Sequence, residues 1–297
     1  MTNLDAPTND AMRVEQIAVR SSLGFEVYAD LRRPPEGVEP LGVALFCHGF
    51  SGTKYATLTT RLAAAGYITV SIDFPGYGAT LPGSGRVLPE EQVLIVREFG
   101  EDARKRFAEG LPIILVGASL GAAVALLAAQ QDPRFGAAVL AHPLATGIGF
   151  LRLRYPDADA MAQFWAKVEA AKRSGDRLHR TDIAALPNRL TNFLPGDTAM
   201  TFVPEFATQF AAVSVLGVIA ALAPMPVLAL HCDGDPMITT EDVRSLVDDA
   251  PGNAQLHLME GGDHFIFDRP EVIRPTLDWL RAALGTSTSS DSRPSSI

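Results

Sequence analysis

Apolar residues fall in short runs separated by amphipathic stretches, and this alternation recurs along most of the chain. Residues 14–20 and 25–31 read as an opening hairpin that turns at 21–24. Residues 41–47 form a continuous apolar run, the pattern of a strand buried on both faces. A helix is predicted over 53–65, stopped by Gly66, and a strand over 67–72. The Pro- and Gly-rich stretch 73–89 reads as a loop. A charged amphipathic helix at 90–109, a strand at 112–116, an Ala- and Leu-rich helix at 120–131 and a strand at 135–141 follow. This order predicts an α/β fold whose central sheet is mostly parallel and flanked by helices.

The alternation breaks over 143–223, where no clear strand is legible. Ala158, Met161, Trp165 and Val168 keep helical spacing, while Pro187, Pro195 and Pro204 divide the remainder. The expectation is a helical cap inserted between strands 6 and 7. Its last part, 206–223, is apolar enough to suggest a membrane span. It is short for one, contains Thr208, Gln209 and Ser214, and lies between two strands of one sheet, so a buried helix is predicted. The alternation resumes with a strand at 227–231, a helix at 239–249, a strand at 255–259 and a helix at 269–284. The expected organisation is a core of 13–142 and 224–284 and a cap of 143–223. A flexible start at 1–12 and a disordered tail at 285–297 flank them.

Composition narrows the class. The chain has 297 residues, 47% hydrophobic and 20% charged, enough for a sizeable core and incompatible with wholesale disorder. Lys plus Arg total 25 against 34 Asp plus Glu, a net charge of −9 that opposes nucleic-acid backbones and anionic membranes. Neither nucleic-acid binding nor membrane insertion is expected. Cys47 and Cys232 sit in apolar runs and read as buried free thiols; two cysteines exclude a disulfide-dense fold and a four-cysteine zinc site. The first ten residues carry no basic and apolar leader pattern, which makes the cytoplasm the expected location.

Gly117-Ala118-Ser119-Leu120-Gly121 matches G-x-S-x-G between a predicted strand and a predicted helix. A serine on so tight a turn needs small flanking residues, because neighbouring backbone crowds them. To act as a nucleophile it also needs a base and a carboxylate that orients the base. Of the six histidines, His264 fits best, in the loop after the last strand. His257 lies inside a strand and reads as structural, His179 lies in a charged stretch and reads as solvated, and His142, just past a strand end, could border the pocket but reads more safely as buried and hydrogen-bonded. Asp235 and Asp233 compete as the acid. Asp235 is favoured, because Asp235-Pro236 after a glycine turn projects it beyond its strand. Asp263 reads as a turn residue. An acyl-transfer serine also needs oxyanion donors. The loop His48-Gly49-Phe50 and the Leu120 amide, at the start of a helix, offer two. A metal held by His231, Asp233 and Asp235 is set against the plainer reading of alternate positions on one strand face. No motif for a nucleotide, flavin or metal is present, so no cofactor is expected.

Taken together, the chain resembles the α/β-hydrolase family over about 14–284. The resemblance rests on His48-Gly49-Phe50, Asp73-Phe74-Pro75-Gly76-Tyr77-Gly78, Gly117 to Gly121, Asp235-Pro236 and Gly262-Asp263-His264-Phe265, in family order. It implies Ser119 as nucleophile, His264 as base, Asp235 as acid, and Phe50 and Leu120 as oxyanion donors. It implies a cap where this family inserts lids, and Ser at 119 disfavours members with an Asp nucleophile. The expected activity is hydrolysis of a carboxylic ester or thioester through an acyl-enzyme. The alternative is a biosynthetic tailoring enzyme of secondary metabolism that uses the same triad for acyl transfer, cyclisation or elimination of an acyl group such as acetate. A non-catalytic ligand-binding relative ranks third. The expected partner is a small, fairly hydrophobic acyl or ester substrate, with Tyr55, His142, Phe164, Trp165 and Phe206 as pocket candidates. Seven cations of the cap, Arg152, Arg154, Lys167, Lys172, Arg173, Arg177 and Arg180, read as a solvated face that could instead attract an anion. No oligomeric state is assigned.

Overall fold

A computed structural model of the chain describes residues 13–50, 52, 54–80, 88–107, 110–183, 201–267 and 269–285. The expected flexible start, the tail from 286 onward, Pro187 and Pro195 lie outside them.

One sheet holds β1 (Glu15–Arg20), β2 (Glu26–Arg32), β3 (Gly42–Cys47), β4 (Tyr67–Ile72), β5 (Ile113–Ala118), β6 (Ala137–Ala141), β7 (Val227–Cys232) and β8 (Ala254–Met259). The spatial order is β1-β2-β4-β3-β5-β6-β7-β8. β1–β2 and β2–β4 pair antiparallel and every other pair is parallel. The parallel strands β3 to β7 are buried along their whole length, as expected when helices cover both faces.

Strand periodicity divides the apolar residues between two cores. In β3, Val43, Leu45 and Cys47 enter one core, and Ala44 and Phe46 the other. The first core is covered by α2 (Pro89–Arg106), α3 (Leu120–Gln131) and α7 (Thr240–Val247), through Ile95, Phe99, Leu126 and Val243 among others. The second is covered by α1 (Ala56–Ala64) and α8 (Pro270–Ala283), through Leu58, Leu62, Val272, Leu277 and Leu280. α1 begins at Ala56 rather than 53, because Tyr55 is left-handed, with φ 48°. α2 begins with Pro89 in its first turn, where the missing N–H costs nothing.

Between β6 and β7 lie α4 (Gly147–Arg154), α5 (Ala158–Ser174), α6 (Pro204–Ala212) and two single turns, Arg180–Ile183 and Val218–Ala221. Two readings of this stretch are corrected. A short antiparallel pair, Leu178–His179 with Thr201–Phe202, occurs where no strand was expected. The apolar run 206–223 is not one helix. α6 ends at Ala212, Ser214 bridges to Thr146 in extended backbone, and Gly217 at φ 72° turns the chain into the second short helix. β-branched Val213 and Val215 flank the bridge and favour that extended conformation. Among the described residues, no helix is long and apolar enough to cross a membrane. Cys47 and Cys232 are both buried and unpaired.

Candidate active site

Ser119 follows β5 and precedes α3 with φ 54° and ψ −119°, a conformation L-residues rarely adopt. Backbone bonds hold it there. Its N–H donates to the Ala141 carbonyl at 2.9 Å, and its own carbonyl accepts from Ala122 N–H at 3.0 Å. The flanking glycines are steric necessities. A Cβ on Gly117 would lie 2.6 Å from the Ala122 Cα, and one on Gly121 would overlap the carbonyl oxygens of Cys47 and His48. The turn is therefore pressed against the end of β3, and α3 tolerates the approach because Gly121, Ala122 and Ala123 in its first turn are small.

At the ends of the next strands the His264 Nδ1 and the Asp235 Oδ2 lie 2.7 Å apart. Burial pushes the Asp235 carboxyl up. Hydrogen bonds from His142 and His264, with their charge, more than reverse this and hold it well below the usual carboxylate range. Asp235 is thus ionised, so the His264 Nδ1 carries the proton and donates, which leaves Nε2 as the free base nitrogen. The second carboxylate oxygen, Oδ1, accepts from the N–H groups of Met237 (2.7 Å) and Ile238 (3.3 Å). Asp233 is turned elsewhere and accepts from Gly261 N–H at 2.6 Å. Asp263 accepts from Phe265 N–H, as a turn residue does. Ser119 and His264 are each 8% exposed.

His142, one of the pocket candidates, takes φ 45°. It is 1% exposed, and its Nδ1 lies 2.7 Å from the same Asp235 Oδ2 and 2.8 Å from the His231 Nδ1. Its ring stands 5.2 Å from that of His264. The Nδ1–H of His142 donates to the carboxylate, and the His231 Nδ1 faces the same hydrogen as an acceptor. Burial lowers both histidines, His231 to about 4, so both are neutral. His142, His231 and Asp235 are also the one grouping among the described residues with cation-ligand chemistry. The 2.7 and 2.8 Å separations of His142 from its two neighbours are hydrogen-bond distances, shorter than the roughly 3.3 Å between ligands around a tetrahedral zinc. The sequence reading missed this contact. Its signal was the register: Ala141 pairs with Leu230, so His142 and His231 both lie one residue beyond paired positions on adjacent strands.

The loop after β3 completes the geometry. The His48 Nδ1–H donates to the Gly49 carbonyl at 2.8 Å, and its Nε2 accepts from Phe74 N–H at 3.3 Å. Burial lowers His48 to about 4. Tyr77 donates its hydroxyl to the Phe50 carbonyl at 2.9 Å. A Cβ on Gly49 would lie 3.1 Å from the Ser119 Cβ, so this loop runs directly beside the serine. Among the described residues, neither the Phe50 nor the Leu120 N–H donates to a backbone carbonyl. Lys54 reaches Asp73 at 2.9 Å and Asp30 at 3.0 Å, pinning the following loop to the sheet.

The remaining pocket candidates separate. Phe206 packs 5.5 Å from Phe50 and 4.9 Å from Phe202. Tyr55 lies between Phe46 and Phe267 in the second core. Phe164 stacks on Tyr155 and touches Trp165 within the insertion.

A strained serine between strand and helix, with a histidine–carboxylate pair at the ends of neighbouring parallel strands, defines a class of hydrolytic folds. The model of the alpha/beta hydrolase family matches residues 44–276, and the chain belongs to that family. An uncharacterized protein of Escherichia coli, from the traX-finO intergenic region, is 31% identical over 108 residues. That match covers 34% of this chain and only 37% of the E. coli protein. Among solved structures, a highly thermostable carboxyl esterase from Bacillus coagulans superposes with TM-score 0.70 at 15% identity, covering 91% of this chain and 99% of that one. A soluble variant of monoglyceride lipase from Saccharomyces cerevisiae gives 0.68 at 20% identity, covering 94% and 96%. At such identities these two establish a shared fold.

Proposed function

We propose that this hydrolase cleaves a carboxylic ester or thioester through an acyl-enzyme on Ser119. The observation that carries the reading is the 2.7 Å bond between His264 and an ionised Asp235, after strands of the same parallel sheet whose β5 carries the strained serine at its end. The His264 Nε2 takes the proton as the Ser119 oxygen attacks the carbonyl carbon. The Phe50 and Leu120 amides hold the resulting oxyanion, aided by the positive end of α3. The bond to the alcohol or thiol breaks, and the leaving group takes the proton from the His264 imidazolium. Water, deprotonated by His264, then attacks the acyl-enzyme and releases the acid and the free serine. Residues 143–223 act as a cap, and the contact of Phe202 and Phe206 with Phe50 supports this placement.

The test is labelling with a fluorophosphonate probe followed by mass mapping. Wild type is expected to label at Ser119, with Ser119→Ala and His264→Ala both silent. Turnover of short acyl esters should fall about a million-fold in Ser119→Ala. A folded wild type that resists the probe and turns over no ester would overturn the assignment.

A further inference from the structure

Of the seven cations among the described residues between β6 and β7, six are exposed: Arg152, Arg154, Lys167, Lys172, Arg173 and Arg177. Arg180 is the exception, at 3% exposure. Its Nη1 is enclosed without a hydrogen-bond partner, and among the described residues it forms no ion pair. Its placement is specific. Two residues earlier, Leu178 pairs with Phe202, whose ring lies 4.9 Å from Phe50. Arg180 also acts electrostatically on Tyr77, which bonds the Phe50 carbonyl. Arg180 thus follows the strand pair that brings Phe202 onto Phe50, and its charge reaches the Tyr77 phenol that bonds the Phe50 carbonyl. Arg32, also buried, has the charge of Asp30 to offset it, whereas no carboxylate among the described residues does this for Arg180. Burying an unpaired charge is costly unless a partner arrives. A desolvated charge without a partner in the fold is a candidate ligand contact.

We propose that Arg180 is an anion subsite, and that the natural substrate carries a carboxylate or phosphate group which this guanidinium grips. The planar fork of Arg suits two parallel hydrogen bonds to such a group. The proposal rests on the ester-hydrolase reading for its substrate, but its binding arm does not.

Two matched substrates test it on the full-length chain: the 4-nitrophenyl monoester of glutaric acid and its methyl-capped neutral analogue. Wild type is expected to favour the charged ester in kcat/KM. Arg180→Met should reduce the ratio between the two esters about 10- to 100-fold, and Arg180→Lys, which keeps charge without the fork, should retain part of it. In a Ser119→Ala background, millimolar glutarate or inorganic phosphate should raise the melting temperature, and the added Arg180→Met change should abolish that rise. The better stabiliser identifies the anion. Equal kcat/KM on both esters, or a ratio unmoved in folded Arg180→Met or Arg180→Lys, overturns the proposal. If neither ester is turned over and the fluorophosphonate does not label Ser119, the hydrolase reading fails, and the melting arm decides the anion subsite alone: no rise in melting temperature with either anion overturns it.

Discussion

One oxygen of Asp235 accepts from two imidazoles, His264 and His142, while the other is held by backbone amides. The carboxylate is thereby fixed from three sides, and the proposed base inherits its orientation. His142 acts through Asp235 and so is a positioning residue. His142→Ala should lower kcat about 10-fold with little change in KM, the share of a lost charge-assisted hydrogen bond that reaches the transition state. His142→Gln, which can still donate an N–H, should recover most of the loss; steady-state kinetics of the three proteins check this. At this scale the sequence was informative where chemistry and spacing coincide. Asp235 could be preferred over Asp233 from the Asp-Pro step alone, and the Gly261–Asp233 bond now explains where Asp233 is used. The His142–Asp235 contact joins residues 93 positions apart in sequence. Only strand order, which local pattern does not encode, reveals it.

The join between β5 and α3 works because glycine lets backbone touch backbone. Gly121→Ala would drive a methyl group into the Cys47 and His48 carbonyls, neither of which can yield without moving the proposed oxyanion loop. A destabilisation of about 3 kcal/mol is expected, read as a lower midpoint in urea unfolding, with activity lost before the fold. The elements of the sheet were legible because runs such as 41–47 and 113–118 are apolar at every position, a pattern that buried parallel strands impose. The run 206–223 misled for the same reason. Uniform apolarity signals burial and not conformation, so the break at Val213 to Gly217 shows only in the β-branched residues and the glycine.

The whole molecule carries an acid-sensitive interior. His48 and His231 ordinarily titrate near 6.5 but are held to about 4 in the fold, chiefly by burial. Between these values the unfolded chain binds protons that the folded chain refuses, so stability falls as pH drops from 6.5 toward 4. Each contributes on the order of 3 kcal/mol to that loss. Asp235 acts in the same direction at lower pH, because its depressed carboxyl stabilises the fold only while it remains ionised. Urea midpoints measured from pH 7 to 4 should decline steadily, and His48→Gln should flatten part of the decline. That the chain would form a mostly parallel sheet flanked by helices followed from its alternation. Burial of His142 was legible too, but its partners were not, because a histidine at a strand end is equally compatible with many acceptors.

Where the chain leaves β6 and where it returns, it touches itself. Val215 N–H bonds the Ala145 carbonyl and Gly147 N–H bonds the Val213 carbonyl, both at 2.9 Å, around the Thr146–Ser214 bridge. Everything between is a closed loop on a zipped stem. Insertions, deletions or wholesale exchange of that loop leave the two strand ends at a fixed separation. Under the proposed cap role, such exchange would change which substrates enter while leaving the proposed site on the sheet unaltered.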